Sequence, residues 1–148
     1  MSVAGVVVDD HRRALLVQRR DNGHWEPPGG ILELEENVPD GLRREVREET
    51  GLIVEPMALS GIYKNMSRGI IALVFRCRAL EGTLSPNDEV KAFHWATRDE
   101  VVAMLDEAYA VRVLDAMDAA TASVAIRHHD GVRLTDRRPL ALSDDTPQ

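Results

Sequence analysis

Short apolar runs separated by polar and turn-forming residues dominate the first part of the chain, and this pattern predicts β-strands. Residues 3–8 and 14–18 are two such runs, and the polar residues 9–13 between them predict that the two strands form a hairpin. Turn-forming residues at 21–23 and 27–30 then predict a long loop.

A helix is predicted over residues 38–50. Asn37 can cap its N-terminus, Pro39 suits its first turn, and Gly51 can end it. Leu42 and Val46 lie one turn apart, so they form an apolar stripe that would pack against a core.

Three further strands are predicted at residues 52–63, 70–80 and 90–95, and Pro56 is a position at which the first could be interrupted. The strand at 70–80 has the clearest alternation. Its apolar face carries Ile71, Leu73, Phe75, Cys77 and Ala79.

Helical spacing returns from Asp99 to about residue 108 and continues over residues 109–120. The apolar residues of this second stretch either cover the sheet or form the contact of a homodimer; they are Val111, Val113, Leu114 and Met117. Beyond them, Asp130-Gly131 predicts the turn of a late hairpin, and residues 143–148 are expected to be a disordered tail.

Strands outnumber helices in this reading, and one helix lies between strands. This order predicts an α/β or α+β sandwich with a mixed sheet. The chain has 148 residues without an internal repeat or low-complexity linker, so a single domain over residues 1–142 is expected.

The composition limits the function classes. A formal net charge of −7 disfavours a general nucleic-acid-binding surface, which is usually basic. No apolar run approaches the roughly 18–20 residues that span a bilayer, and the N-terminus lacks a signal-peptide pattern. Cys77 is the single cysteine, which excludes an internal disulfide and suits the cytoplasm; it is predicted to be a small core residue.

Three carboxylates share one face of the predicted helix, because Glu45, Glu48 and Glu49 are three and four residues apart. Their repulsion could be relieved by an ion pair from Arg44, which precedes Glu48 by one turn, or by a hard divalent cation such as Mg²⁺ or Mn²⁺. Taken alone, the helix also fits an ordinary solvated acidic face.

The spacing around the helix favours the metal. Gly30, Glu36 and the run Arg44-Glu45-Val46-x-Glu48-Glu49-x-Gly51-Leu52 occupy every defined position of the Nudix box. The chain therefore resembles the Nudix hydrolase family over roughly residues 3–106. That resemblance implies an α/β/α sandwich with a mixed central sheet, in which the box forms a loop–helix–loop.

The resemblance also implies roles for the box residues. Glu45, Glu48 and Glu49 would ligate Mg²⁺ or Mn²⁺, with help from the Gly30 carbonyl, and Glu45 or Glu49 would be the general base. Glu36 and Arg44 would orient the helix carboxylates. Family members often supply a further carboxylate before a late strand that ends in Trp. In this chain Glu89 is the best match and Asp88 the second.

Two positions depart from the usual box. Leu34-Glu35 stands where many members have Pro-Gly, so the loop is expected to take a different path. Gly41 stands where Ala is commoner, which costs on the order of 1 kcal/mol in helix propensity.

Candidate substrate contacts follow from charge and aromaticity. Phosphates need cations, and the candidates are Arg19, Arg20, Lys64 and Arg68, although each also fits a solvated surface position. Trp25 and Tyr63 could stack on a base or pack internally, and the paired histidines His128 and His129 are expected at the surface.

The predicted substrate is a nucleoside triphosphate, or another nucleoside diphosphate linked to a further group. Motifs of the NADH-directed and coenzyme A-directed members are missing, and Ser67 stands where ADP-ribose specialists have a proline. Two alternatives stay open: a nucleotide-binding regulatory module without turnover, and an RNA 5′-end pyrophosphohydrolase, which would want a basic groove.

Overall fold

The computed structural model describes residues 1–118 and 123–135. The predicted tail at 143–148 and the end of the predicted 109–120 helix lie outside the described residues. The elements in chain order are β1 Ser2–Val7, β2 Ala14–Arg19, β3 Trp25–Glu26, β4 Gly29–Ile31, α1 Val38–Thr50, β5 Leu52–Asn65, β6 Ile70–Gly82, β7 Val90–Ala96, α2 Arg98–Met104, α3 Glu107–Met117 and β8 Ala125–His129.

The described strands form two sheets. One has the order β4-β1-β6-β5-β8, in which β1 runs parallel to β6 and β5 parallel to β8, while the other pairs are antiparallel. The other is antiparallel throughout, with the order β3-β2-β7. The larger sheet is therefore mixed, as predicted.

The larger sheet is covered by a helix on each face. On one face Leu42 and Val46 of α1 share a buried cluster with Cys77, and on the other Val113 of α3 packs with Val74. This arrangement confirms the α/β/α sandwich and the core position of Cys77. Val111, Leu114 and Met117 pack against the same cluster as Val113, so this part of α3 covers the sheet.

Helix α1 follows its sequence signals. The Asn37 side chain accepts a hydrogen bond from the backbone N–H of Asp40, and Gly51 ends the helix with a left-handed φ of 86°. The absence of a side chain at Gly41 lets the helix pack closely against the box loop. A Cβ there would lie 2.3 Å from a methyl carbon of Leu32 and 2.8 Å from a carboxylate oxygen of Glu36. Its low propensity is therefore the cost of close contact with the box loop.

Three predictions about the strands were wrong. β1 and β2 do not form a hairpin: they share one bridge, Val8 with Ala14, and then enter different sheets. The predicted loop at 21–30 contains β3 and β4, since β3 pairs with the nearby β2 and β4 pairs with the sequence-distant β1. Pro56 does not interrupt β5, because irregular pairing with β6 accommodates it.

The predicted apolar face of β6 does not extend to Ala79, which is exposed near the strand's end. The opposite face is buried as well, because α3 packs on it. The Arg76 guanidinium on that face donates to the carbonyl oxygens of Ala116 and Met117, which satisfies the C-terminal end of α3.

The region after β7 differs from the prediction in two ways. The helical stretch is divided, because Thr97 and Glu100 form a capping box at the start of α2 and a new helix begins after Asp106. The late hairpin is reduced to one antiparallel bridge, His129 with Leu134, across the predicted turn at Asp130-Gly131, and β8 itself pairs parallel with β5.

Hydrogen bonds between buried side chains fix α3 and β8 to β5. The Tyr63 hydroxyl donates to Asp115 at 2.6 Å, and Arg127 donates to both oxygens of the same carboxylate. His129 was expected at the surface but is fully buried, with its Nδ1 accepting from the Gly131 N–H.

Among the described residues, every helix is too short or too polar to span a bilayer.

Candidate active site

Arg44 organises the acidic end of the box. Its guanidinium donates two hydrogen bonds to Glu36, at 2.8 and 2.7 Å, and further bonds to Glu45 at 2.8 Å, Glu48 at 3.2 Å and the carbonyl oxygen of Ile31 at 3.2 Å. These bonds lower the pKa of Glu36 to about 2. The loop and the helix of the box are therefore joined through one cation, as expected for Arg44 and Glu36.

Gly30 makes room for one of the helix carboxylates. Gly30 lies in β4, paired with Val3, and a Cβ on it would lie only 2.2 Å from the Glu45 Oε2. Burial raises the pKa of Glu45, although the Arg44 hydrogen bond opposes that shift. Glycine at position 30 thus brings the backbone into contact with a box carboxylate.

Glu49 has a different environment. Its side chain is 6% exposed, and the backbone N–H of Gly29 donates to its Oε1 at 3.0 Å. Among the described residues no cation forms an ion pair with it. Burial raises its pKa to about 7, and the charges of Glu26, Glu89 and Glu45 add to the increase. A buried carboxylate without a counter-cation is costly and needs compensation.

Glu89 stands across a cleft from Glu49. The cleft has a volume of about 480 Å³ and is lined by Arg19, Arg20, Asp21, Glu49, Asp88 and Glu89. Glu49 belongs to α1, which packs on the larger sheet, whereas the other lining residues flank strands of the smaller sheet. The sequence prediction of Glu89 as a partner of the box carboxylates is consistent with this placement.

A second cleft, of about 550 Å³, adjoins the first. Trp25, Arg68, Tyr109, Glu26 and Asn65 are among its lining residues. Arg19 lines both clefts, and its guanidinium is paired with Asp21 at 2.6 Å and with Glu26 at 3.3 Å.

The structure brings together most of the predicted substrate residues. Arg20, Trp25 and Arg68 each line one of the two clefts and Arg19 lines both, whereas Lys64 lines neither. The expectation that Tyr63 could stack on a base was wrong, because the ring is fully buried in the core. Sequence reasoning missed Tyr109, which lines the same cleft as Trp25, because its helical spacing resembles that of its core neighbours.

The carboxylate side chains at this site are the type of ligand that a hard divalent cation prefers. Glu45, Glu49 and Glu89 supply carboxylate oxygens, which Mg²⁺ and Mn²⁺ prefer. The Glu89 charge contributes to the raised pKa of both Glu45 and Glu49, and the Glu45 charge contributes to that of Glu49. The donors are not converged: among the described residues, no three His, Cys, Asp or Glu side chains are assembled around a common point. Arg44 holds Glu45 and Glu48 in this arrangement, so cation binding requires part of that ion-pair network to open.

Comparison with known proteins agrees with this geometry. The family model described as NUDIX domain matches residues 1–117. A "MutT-like protein" of Streptomyces ambofaciens is 52% identical over 134 residues, which cover 90% of this chain and 86% of that protein. An "ADP-ribose pyrophosphatase" of Methanocaldococcus jannaschii is 34% identical over 98 residues, which cover 62% of this chain and 57% of that protein.

Solved structures share the architecture. The crystal structure of an ADP-ribose pyrophosphatase from Streptococcus suis superimposes with a TM-score of 0.72 at 25% identity, covering 86% of this chain and 96% of that one. The crystal structure of a MutT protein from Bacillus halodurans gives a TM-score of 0.71 at 24% identity, covering 97% and 98%. The second likeness shows the fold alone.

Proposed function

The chain belongs to the Nudix hydrolase family, and we propose that it hydrolyses a phosphoanhydride bond of a nucleoside triphosphate, or of another nucleoside diphosphate linked to a further group, with Mg²⁺ or Mn²⁺. One observation carries the proposal. Glu49 is buried at the edge of a cleft and forms no ion pair with a cation among the described residues. Burial and the charges of Glu45 and Glu89 raise its pKa.

The metal would be held by carboxylates from two elements. Glu45, Glu48 and Glu49 of α1 and Glu89 before β7 are the proposed ligands, with the Gly30 carbonyl oxygen beside them. A bound divalent cation supplies charge neutralisation of the diphosphate and lowers the pKa of an attacking water.

The protein's own groups position that cluster and move the proton. Arg44 and Glu36 fix the start of the helix, and Glu45 and Glu49 are the candidates for the general base. The pKa of about 7 for Glu49 belongs to the metal-free protein and would fall when a cation binds, so the choice between Glu45 and Glu49 stays open.

The two clefts suggest how a substrate would lie. The diphosphate would occupy the cleft beside Glu49, where Arg20 and Arg19 supply positive charge. The nucleoside part would occupy the adjoining cleft, with Trp25 and Tyr109 offering aromatic surfaces and Arg68 a further cation. Arg19 lines both clefts, so one extended substrate could occupy both clefts and contact Arg19 between them.

A turnover screen tests this proposal. The purified chain is incubated with Mg²⁺ or Mn²⁺ and a panel of normal and oxidised nucleoside triphosphates, ADP-ribose and nucleoside diphosphate sugars, and phosphate and pyrophosphate release are measured. We expect turnover of at least one compound, its loss with chelator, and a decrease of several orders of magnitude in Glu49→Gln. Glu35→Gln is the matched control, because Glu35 is an exposed carboxylate of the box loop outside the proposed site.

The same screen addresses the alternatives. A panel without turnover, in which a nucleotide still raises the melting temperature, would establish a binding module instead. Phosphate or pyrophosphate release from 5′-triphosphorylated RNA, with no release from free nucleotides, would establish the RNA 5′-end activity. We place the enzyme in the cytoplasm, where its single buried cysteine stays reduced. Size-exclusion chromatography tests whether the chain forms a homodimer, which the sequence leaves open.

A further inference from the structure

Asn87 connects the two walls of the catalytic cleft, although it carries no charge and lines neither cleft. We propose that Asn87 is a positioning residue that holds Glu89 opposite Glu49, so that one divalent cation can bind both carboxylates. This inference rests on the proposed function, because it assumes that Glu49 and Glu89 are ligands.

One end of the Asn87 side chain shapes the loop that carries Glu89. The Asn87 Oδ1 accepts hydrogen bonds from the backbone N–H groups of Glu89 at 2.9 Å and Val90 at 3.0 Å. The Asn87 N–H in turn donates to the Val90 carbonyl oxygen at 3.0 Å. These three bonds fix a tight turn immediately before β7.

The other end of the same side chain is bound to α1. The Asn87 Nδ2 donates to the backbone carbonyl oxygen of Glu49 at 2.8 Å. One planar amide therefore links the backbone of one proposed ligand to the turn that carries the other. An amide carries its acceptor oxygen and its donor nitrogen on separate atoms, whereas a carboxylate has no donor and a hydroxyl has a single oxygen for both bonds.

Arg20 reinforces the turn from the smaller sheet. Its backbone N–H donates to the Glu89 carbonyl oxygen at 2.9 Å, and its Nε donates to the Asn87 carbonyl oxygen at 2.6 Å. The turn is thus held from α1 on one side and from the end of β2 on the other.

This restraint acts against a repulsion. The Glu89 charge is among those that raise the pKa of Glu49, so the two carboxylates are near enough to repel each other. Glu89 is exposed, and in the absence of a cation its loop would move outward if it were not tied. The Asn87 amide keeps the pair together before the metal arrives, which lowers the cost of assembling the site.

A metal titration tests the inference directly. Mn²⁺ affinity of the full chain, without nucleotide, is measured from the electron paramagnetic resonance signal of free Mn²⁺. Asn87→Ser removes the amide donor without adding charge and keeps a hydroxyl that can support the turn. We expect it to lower Mn²⁺ affinity by roughly tenfold or more, the usual effect of losing a group that orients a metal ligand.

The matched control is Ser85→Ala, in the same loop, whose hydroxyl makes a single 3.4 Å contact with the neighbouring Pro86 carbonyl oxygen. We expect it to bind Mn²⁺ as the unaltered protein does. In EDTA the melting temperatures of both variants should stay within a few degrees of the unaltered protein, which separates positioning from unfolding.

A double variant separates positioning from a general structural role. If Asn87 acts through Glu89, Asn87→Ser combined with Glu89→Gln binds Mn²⁺ no more weakly than Glu89→Gln alone. Additive losses would overturn the inference. Wild-type Mn²⁺ affinity in Asn87→Ser, with affinity lost in Glu49→Gln and Glu89→Gln, would overturn this inference alone. Unchanged affinity in those two glutamine variants would overturn the proposed function.

Discussion

Replacing Glu49 with Gln should stabilise the metal-free protein at alkaline pH while abolishing its activity. Gln keeps an oxygen that can accept from the Gly29 N–H, and it carries no charge to bury. The substitution therefore isolates the cost of the buried carboxylate from the loss of packing.

The magnitude follows from the pKa. A pKa of about 7, against the ordinary 4.5, corresponds to about 3 kcal/mol of destabilisation once the group is ionised. Below pH 4.5 the carboxyl is protonated in both the folded and the unfolded state, so the cost vanishes. It grows as the pH rises from 4.5 to about 7 and is constant above that.

Thermal unfolding in EDTA at pH 4.5 and pH 8 measures this difference. We expect Glu49→Gln to melt roughly 5–10 °C above the unaltered protein at pH 8 and at nearly the same temperature at pH 4.5. Added Mn²⁺ should raise the melting temperature of the unaltered protein at pH 8 and leave that of the variant unchanged.

The control for stability is Glu48→Gln, on the same helix, because the Glu48 side chain is 60% exposed and its pair with Arg44 lies at the surface. Its melting temperature should change by no more than about 2 °C at either pH. A Glu49→Gln variant that melts at or below the unaltered protein at pH 8 in EDTA would refute the argument from burial.

Three further predictions follow from other parts of the structure. Gly30→Ala should displace the Glu45 carboxylate, since the new Cβ would lie 2.2 Å from its Oε2, and lower both Mn²⁺ affinity and kcat/KM by at least tenfold; unchanged kinetics would contradict the contact. Tyr63→Phe should cost about 1–2 kcal/mol in the free energy of unfolding measured with urea, because the buried hydrogen bond to Asp115 is lost; a neutral result would show that Arg127 alone satisfies that carboxylate. Burial lowers the pKa of His129, so stability should be full above pH 6.5 and fall as the pH drops below it, with a flatter pH profile in His129→Gln; parallel profiles would exclude His129 as the cause.

The sequence predicted best what depends on local signals. Helix α1 was correct from its cap to Gly51, because capping and amphipathic spacing are encoded within the segment itself. Strand pairing was predicted poorly, since the partners are distant in sequence. Nothing in residues 3–18 indicates that β1 pairs with β6 and β2 with β7.

The candidate site divides in the same way. The spacing placed the box carboxylates on one helix face, and the family resemblance supplied their proposed roles, which stay predictions. The Arg44 pair with Glu48 formed as the spacing suggested. The sequence analysis overestimated how closely the three helix carboxylates converge. Helical periodicity cannot show that Glu49 bonds to Gly29 while Arg44 binds Glu45 and Glu48. The Asn87 bridge had no sequence signal, since an asparagine in a polar turn is ordinary.

The separation of β1 and β2 into different sheets has a consequence for how such an enzyme can change. The residues proposed for chemistry lie mainly on α1, over the larger sheet, while Arg19, Arg20 and Trp25 belong to or directly follow strands of the smaller one. Apart from Glu89, the residues proposed for metal binding therefore lie on a different sheet layer from these three proposed substrate contacts. Mutational libraries confined to Arg19 and Trp25 would therefore alter the proposed substrate contacts while the box carboxylates, Asn87 and Glu89 keep their sequence.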